Sequence, residues 1–280
     1  MLLIFRAMSY APVGVFDSGL GGLTVLRSIR SALPTIDYLY LGDNARAPYG
    51  TRSFETIFEY TWESVKWLLD QGCPLVILAC NTASAKALRN IQQKMLPKYY
   101  PDRKVLGVLR PTTEIIGQMS LNKKIGILAT PGTVKSESYP IEIGHFYPEI
   151  EVFQQACPMW VPLVENGELS GTGTEYFVQM SLDALFQQNS DIDTLLLACT
   201  HYPLLIPVIQ QKISEKIQIV EQGPLVAKAL KNYLERHQYL AQIISKNGQL
   251  TCFTTESPES FSEKANLFWG SPLACKQIHL

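Results

Sequence analysis

Short apolar runs, each closing on small polar residues, recur along the chain at 13–17, 38–42, 75–80, 105–109, 125–130, 152–157, 195–200 and 217–220. Most are apolar without alternation, as strands buried on both faces of a parallel sheet must be. Helical patterns lie between them. One runs over 24–33 and stops at Pro34; another opens on Ser53 and carries Ile57, Tyr60, Trp62, Val65, Leu68 and Leu69 towards Gly72. Ser53 suits a cap position, because its hydroxyl can accept from a backbone N–H that the first helical turn leaves unpaired. Two later helices are predicted over 225–236 and 258–268. Strands alternating with amphipathic crossover helices predict an α/β fold with mostly parallel sheets, and ligands in such folds sit beyond the carboxyl ends of the strands.

The polar, proline-bounded stretch from Leu96 to Asp102 separates the helix after Cys80 from the next strand. It predicts a lobe boundary after residue 101. The expectation is two Rossmann-like lobes with the active site in the crevice between them. No internal repeat or low-complexity segment interrupts the pattern.

A chain of 280 residues with 46% apolar composition is long enough for two such lobes. Its formal net charge of −1 supplies no global basic field, so neither nucleic acid nor an acidic membrane surface is an expected partner. No apolar run approaches the ~18 residues that would span a bilayer. The opening residues lack the basic start of a signal peptide, and Arg6 interrupts their apolar stretch. A soluble, cytoplasmic protein is expected, with Met8 offering a second start site beside Met1. The six cysteines, at 73, 80, 157, 199, 252 and 275, form neither a CxxC pair nor a disulfide framework, which fits reduced thiols.

Two of these cysteines occupy matching settings. Cys80 closes the run 75–79 and precedes Asn81-Thr82; Cys199 closes the run 195–198 and precedes Thr200-His201. A lone cysteine is usually a core residue, but two at polar strand ends read as thiols delivered to a crevice. Facing one small molecule from opposite sides, they would suit moving a proton from one face of a carbon to the other. The helix start after Cys80 is expected to lower its thiol pKa, with Asn81, Thr82 and Ser84 gripping a carboxylate.

Further polar groups fall at other strand ends. Asp17-Ser18-Gly19-Leu20-Gly21-Gly22 places a carboxylate and a hydroxyl before a glycine turn whose amides can approach an anion. It begins like a dinucleotide fingerprint, but Thr24 stands where the third glycine should be. The loop ending Pro48-Tyr49-Gly50 follows the second strand, and Glu165 follows an apolar run before a turn. Alone, the first reads as a tight turn and the second as an exposed carboxylate.

Competing chemistries lack parts. Cys199 and His201 offer two zinc ligands, but His145, His237 and His279 are isolated, so no metal is expected. The same pair could run acyl transfer as nucleophile and base, leaving Cys80 without a role. A pyridoxal phosphate enzyme needs a Schiff-base lysine and a phosphate cup, neither of which is recognisable; no cofactor is expected.

Asp17-Ser18-Gly19-x-Gly21-Gly22, Pro48-Tyr49-Gly50, Cys80-Asn81-Thr82-Ala83, Val161-Pro162-Leu163-Val164-Glu165 and Cys199-Thr200-His201-Tyr202-Pro203 together resemble glutamate racemase, of the cofactor-independent aspartate/glutamate racemase superfamily. The resemblance takes in Gly132-Thr133-Val134-Lys135-Ser136 and 253–258 as well. Departures fall at Glu221-Gln222-Gly223 and Arg110-Pro111-Thr112. What the resemblance implies is interconversion of L- and D-glutamate, with Cys80 taking the α-proton from D-glutamate and Cys199 from L-glutamate. Asp17 would assist Cys80, while Glu165 and His201 would assist Cys199. Substrate contacts would come from Asp17, Ser18, Pro48, Tyr49, Gly50, Asn81, Thr82, Thr200 and His201. The resemblance also implies a discontinuous first lobe, 10–101 with 221–270, around a second lobe at 102–220. It further implies a homodimer in a bacterial cytoplasm that supplies D-glutamate for peptidoglycan. Aspartate racemase, hydantoin racemase and maleate isomerase are neighbouring activities built on paired cysteines, and an idle binding protein on the same fold is the alternative from another class.

Overall fold

The computed structural model describes residues 11–280, so the start-site expectation at Met8 lies outside the described residues. Ten strands are described: β1 (Val13–Asp17), β2 (Tyr38–Gly42), β3 (Leu75–Leu78), β4 (Lys104–Gly107), β5 (Lys124–Ala129), β6 (Glu151–Ala156), β7 (Thr194–Ala198), β8 (Gln218–Val220), β9 (Leu250–Thr254) and β10 (Cys275–Gln277). They form a six-stranded sheet in the order β10-β9-β2-β1-β3-β4 and a four-stranded sheet in the order β6-β5-β7-β8. Every pairing is parallel.

The inner strands β1, β2, β3 and β7 are buried at every position, which is why their sequences are unbroken apolar runs. Crossover helices cover them. The helix Gly22–Ala32 buries Leu23, Leu26 and Ile29, and packs against the helix Gln222–Arg236, which buries Val226, Ala227 and Leu230. Each fully buried aliphatic side chain of this kind contributes about 1.5–3 kcal/mol. Ser53 caps the helix Phe54–Asp70 as its sequence predicts, its hydroxyl accepting from the Thr56 amide.

The strand expected to open the second lobe does not do so. β4 is the outermost strand of the six-stranded sheet, with Val105 in register with Val76 of β3. Within the proline-bounded stretch, Leu96–Tyr99 form a short helix with Pro97 in its first turn, residues 100–103 connect it to β4 inside the same sheet, and the chain crosses to the other sheet only after Gly107. β4 also ends two residues early, because the helix Leu109–Ile116 begins there. Pro111 fits its first turn, where a missing N–H costs no helical hydrogen bond. After β8 the chain returns, and β9 pairs with β2 while β10 pairs with β9; neither strand is predicted from the apolar pattern. No helix among the described residues is long and apolar enough to cross a membrane.

Candidate active site

Residues following the strands of both sheets converge on a cavity of about 290 Å³. Ser18, Pro48, Tyr49, Gly50, Cys80, Asn81 and Thr82 line it from the six-stranded sheet. Glu165, Cys199, Thr200 and His201 line it from the four-stranded sheet. Eleven of the thirteen residues singled out in the sequence therefore meet at one place; Asp17 and Ser84 are the exceptions, the Ser84 hydroxyl donating instead to the Leu78 carbonyl at 2.9 Å. The two thiols are nearly covered, Cys80 at 6% and Cys199 at 7% exposure.

Cys80 stands at the cap of the helix Asn81–Lys86, where its sulfur accepts from the Ala83 amide at 3.4 Å and lies 3.4 Å from the Ser18 hydroxyl. These contacts favour the thiolate, as the sequence leads one to expect, but they do not win. Burial pushes the Cys80 thiol up to about 12, with the nearby Asp17 carboxylate adding to the rise. A six-residue helix offering one long hydrogen bond cannot outweigh the desolvation of a buried anion.

Asp17 does not line the cavity. It is buried at the end of β1; one carboxylate oxygen accepts from the Gly19 amide at 2.9 Å and the other has no hydrogen-bond partner. Burial raises its pKa, partly offset by His201 and by the Gly19 and Gly22 amides. An orphaned oxygen on a carboxyl group with a raised pKa is suited to holding a proton.

On the opposite side, His201 links two groups. Its Nδ1 lies 3.9 Å from the Cys199 sulfur, and its Nε2 lies 3.0 Å from Glu165 Oε1. Burial alone would lower its pKa, but the hydrogen bonds and charges of Cys199 and Glu165 raise it to about 10. Glu165 is held below its ordinary value by His201 and Lys264 despite its own burial. Phe268, on the returning helix Pro258–Trp269, packs edge-on against the imidazole with ring centres 5.2 Å apart.

Supporting side chains fix the rim. The Tyr49 hydroxyl donates to the buried Asp43 carboxylate, which also accepts from Arg46 Nε at 2.7 Å and the Thr255 hydroxyl at 2.8 Å. Thr82 meets Thr130 at 3.1 Å and Thr133 at 3.4 Å, joining the two sheets across the crevice. Thr130 and Cys157 line the cavity but were not among the residues singled out. Both close predicted strands, just as Cys80 and Cys199 do, so the strand-end rule contained the signal. Cys157 carries a thiol pushed up to about 12 by burial. Among the described residues, no group of three or more His, Cys, Asp or Glu side chains is placed to hold a metal ion.

Close backbone approach demands glycine at Gly21, where an added Cβ would lie 2.2 Å from Thr200 Oγ1 and 2.5 Å from His201 Nδ1. Gly21→Ala is expected to destabilise the protein by about 1–3 kcal/mol, as overpacking does. It should also displace His201. Denaturant unfolding checks the first effect and a shifted imidazole resonance the second; a variant with unchanged stability and spectrum contradicts the packing.

Parallel sheets whose carboxyl ends share a cavity with paired thiols define an α/β enzyme of the amino-acid racemase class, and comparison with known proteins agrees. The Asp/Glu/Hydantoin racemase family profile matches residues 13–230. A glutamate racemase of Geobacter metallireducens is 37% identical over 95% of both chains. The crystal structure of glutamate racemase from Francisella tularensis in complex with D-glutamate superposes with a TM-score of 0.85 at 30% identity, covering 96% of this chain and 97% of that one. A glutamate racemase isoform of Bacillus anthracis gives 0.87 at 32% identity, covering 96% and 98%. The chain belongs to the Asp/Glu/hydantoin racemase family and, within it, to the glutamate racemases.

Proposed function

We propose that the protein interconverts L- and D-glutamate by a two-base transfer in which Cys80 and Cys199 act on opposite faces of the α-carbon. The observation that carries this reading is the arrival of both thiols, from different sheets, at one small cavity. Cys80 is a neutral thiol with its pKa near 12, while protonated His201 faces the sulfur of Cys199. That charge arrangement suits L-glutamate. Cys199 takes the α-proton as thiolate, the imidazolium balances the charge, and Cys80 delivers its proton to the other face. The enzyme is left with a Cys80 thiolate and a Cys199 thiol, which is the form that accepts D-glutamate. The raised pKa of Cys80 makes that thiolate a stronger base once formed.

An α-proton of an amino acid is very weakly acidic, so turnover of roughly 1–10³ per second requires the developing carbanion to be stabilised. Donors at Ser18, Asn81, Thr82 and Thr200, which line the cavity, can supply this. Glutamate as the substrate is supported by the names of the relatives, as are supply of D-glutamate for peptidoglycan in a bacterial cytoplasm and assembly as a homodimer by the resemblance of motifs.

Incubation with L-glutamate in deuterated water, without added cofactor, is expected to remove the α-proton signal as D-glutamate appears. L-aspartate, one methylene shorter, should turn over roughly 10- to 200-fold more slowly. Exchange without D-glutamate, or aspartate as the faster substrate, would sink the reading.

A further inference from the structure

Behind Asn81 lies a buried polar cluster that the proposed chemistry does not use. Asn81 Nδ2 donates to Gln222 Oε1 at 2.6 Å, Gln222 Nε2 donates to the Tyr139 hydroxyl at 2.7 Å, and that hydroxyl donates to Asn81 Oδ1 at 2.5 Å. The three side chains close a ring in which every hydrogen bond runs in the same sense. All three are buried, Asn81 at 3%, Gln222 at 4% and Tyr139 at 0% exposure. They come from three helices, Asn81–Lys86, Ser138–Phe146 and Gln222–Arg236.

A ring of two amides and a hydroxyl could run in either sense if both amides flipped. An outside group removes that freedom. Gln222 Nε2 also lies 3.3 Å from the Val108 carbonyl, which can only accept, and 3.1 Å from the Thr112 hydroxyl, whose own hydrogen goes to that same carbonyl. The nitrogen of Gln222 must therefore face Val108, its oxygen must face Asn81, and Asn81 must turn its nitrogen towards Gln222. One amide hydrogen of Asn81 then has no acceptor among the described residues, and Asn81 lines the cavity.

We propose that Gln222 and Tyr139 are positioning residues that hold the Asn81 amide so that the cavity meets an N–H donor, suited to a substrate carboxylate, rather than a carbonyl oxygen that would repel it. This rests on the activity proposed above. Neither residue touches the cavity, and each acts through Asn81.

The test compares Tyr139→Phe, Gln222→Glu and Asn81→Ala, alone and combined, by racemisation kinetics with each glutamate enantiomer. Tyr139→Phe and Gln222→Glu are each expected to raise KM and to lower kcat/KM about 10- to 100-fold, the size of one hydrogen bond to a charged group. In the Asn81→Ala background either substitution should add less than about twofold, because the group they orient is gone. Losses that persist undiminished in that background would show a merely structural role and overturn the proposal, as would unchanged KM in both single variants. Tyr139→Phe removes only a hydroxyl and carries the test should Gln222→Glu not fold. Wild-type protein that fails to exchange the glutamate α-proton overturns the activity itself, and this role with it; active wild type with indifferent variants overturns this role alone.

Discussion

The Cys80→Ser protein is expected to interconvert the glutamate enantiomers about 10³-fold more slowly than wild type, within the range that a positioned acid or base contributes. A serine hydroxyl keeps the size and the Ser18 contact of the thiol but cannot become an anion near neutral pH. The loss in kcat/KM must be the same in both directions. Two enantiomers have equal free energy in an achiral solvent, so a racemase with unequal losses would shift an equilibrium that no catalyst can shift. Individual kcat and KM values remain free to differ. Cys199→Ser should behave alike, and the double variant should lose little more, because one missing base already breaks the relay. Polarimetry from each enantiomer measures this. Retention of more than about a tenth of the wild-type rate in either single variant would remove that thiol from the chemistry.

The second large effect concerns the imidazole on the other side. Glu165→Gln is expected to lower the His201 pKa from about 10 towards its ordinary 6.5, since one of the two groups that raise it is lost. With the imidazolium depleted at pH 8, kcat/KM should fall about 10²-fold, and the alkaline limb of its pH profile should move to lower pH. Stability follows the same titration. A histidine whose pKa is raised on folding contributes stability that is fully present below pH 6.5 and is lost as pH rises through about 10. Wild type should therefore lose stability between those values, and Glu165→Gln should lose less. The imidazole resonances and denaturant midpoints across that range measure both, and a His201 titration that does not move in Glu165→Gln contradicts the arrangement.

The sequence made the scaffold legible where burial on both faces forces an unbroken apolar run. All eight runs contain strands, within one or two residues at their amino ends. β9 and β10 escaped because this flank of the sheet is only partly covered: Leu250, Thr251 and Phe253 of β9 are only partly buried, and Lys276 and Gln277 of the edge strand β10 are exposed. The lobe boundary was misplaced for a related reason. Prolines and polar residues mark a turn, but they do not say whether the next strand joins the same sheet; β4 does so through Val105 and Gly107, whose burial depends on β3.

The candidate site was legible as a set of strand-end motifs, because each motif sits where the chain leaves the core. What sequence could not supply was depth. Cys80 reads as an activated thiol from its helix cap alone, yet the surrounding burial and Asp17 reverse the direction of its pKa. The ring around Asn81 depends on helices 58 and 141 residues away, and no local pattern announces it.

The strands of the four-stranded sheet all lie within residues 124–220, whereas the six-stranded sheet draws on both ends of the chain. During synthesis, the inner unit can therefore close its own hydrogen-bonded ladder while its host still lacks β9 and β10. The outer unit must keep one flank of β2 open until residues 250–254 have been made and can pair with it. Until then that flank is an unpaired strand edge, open to pairing with another chain.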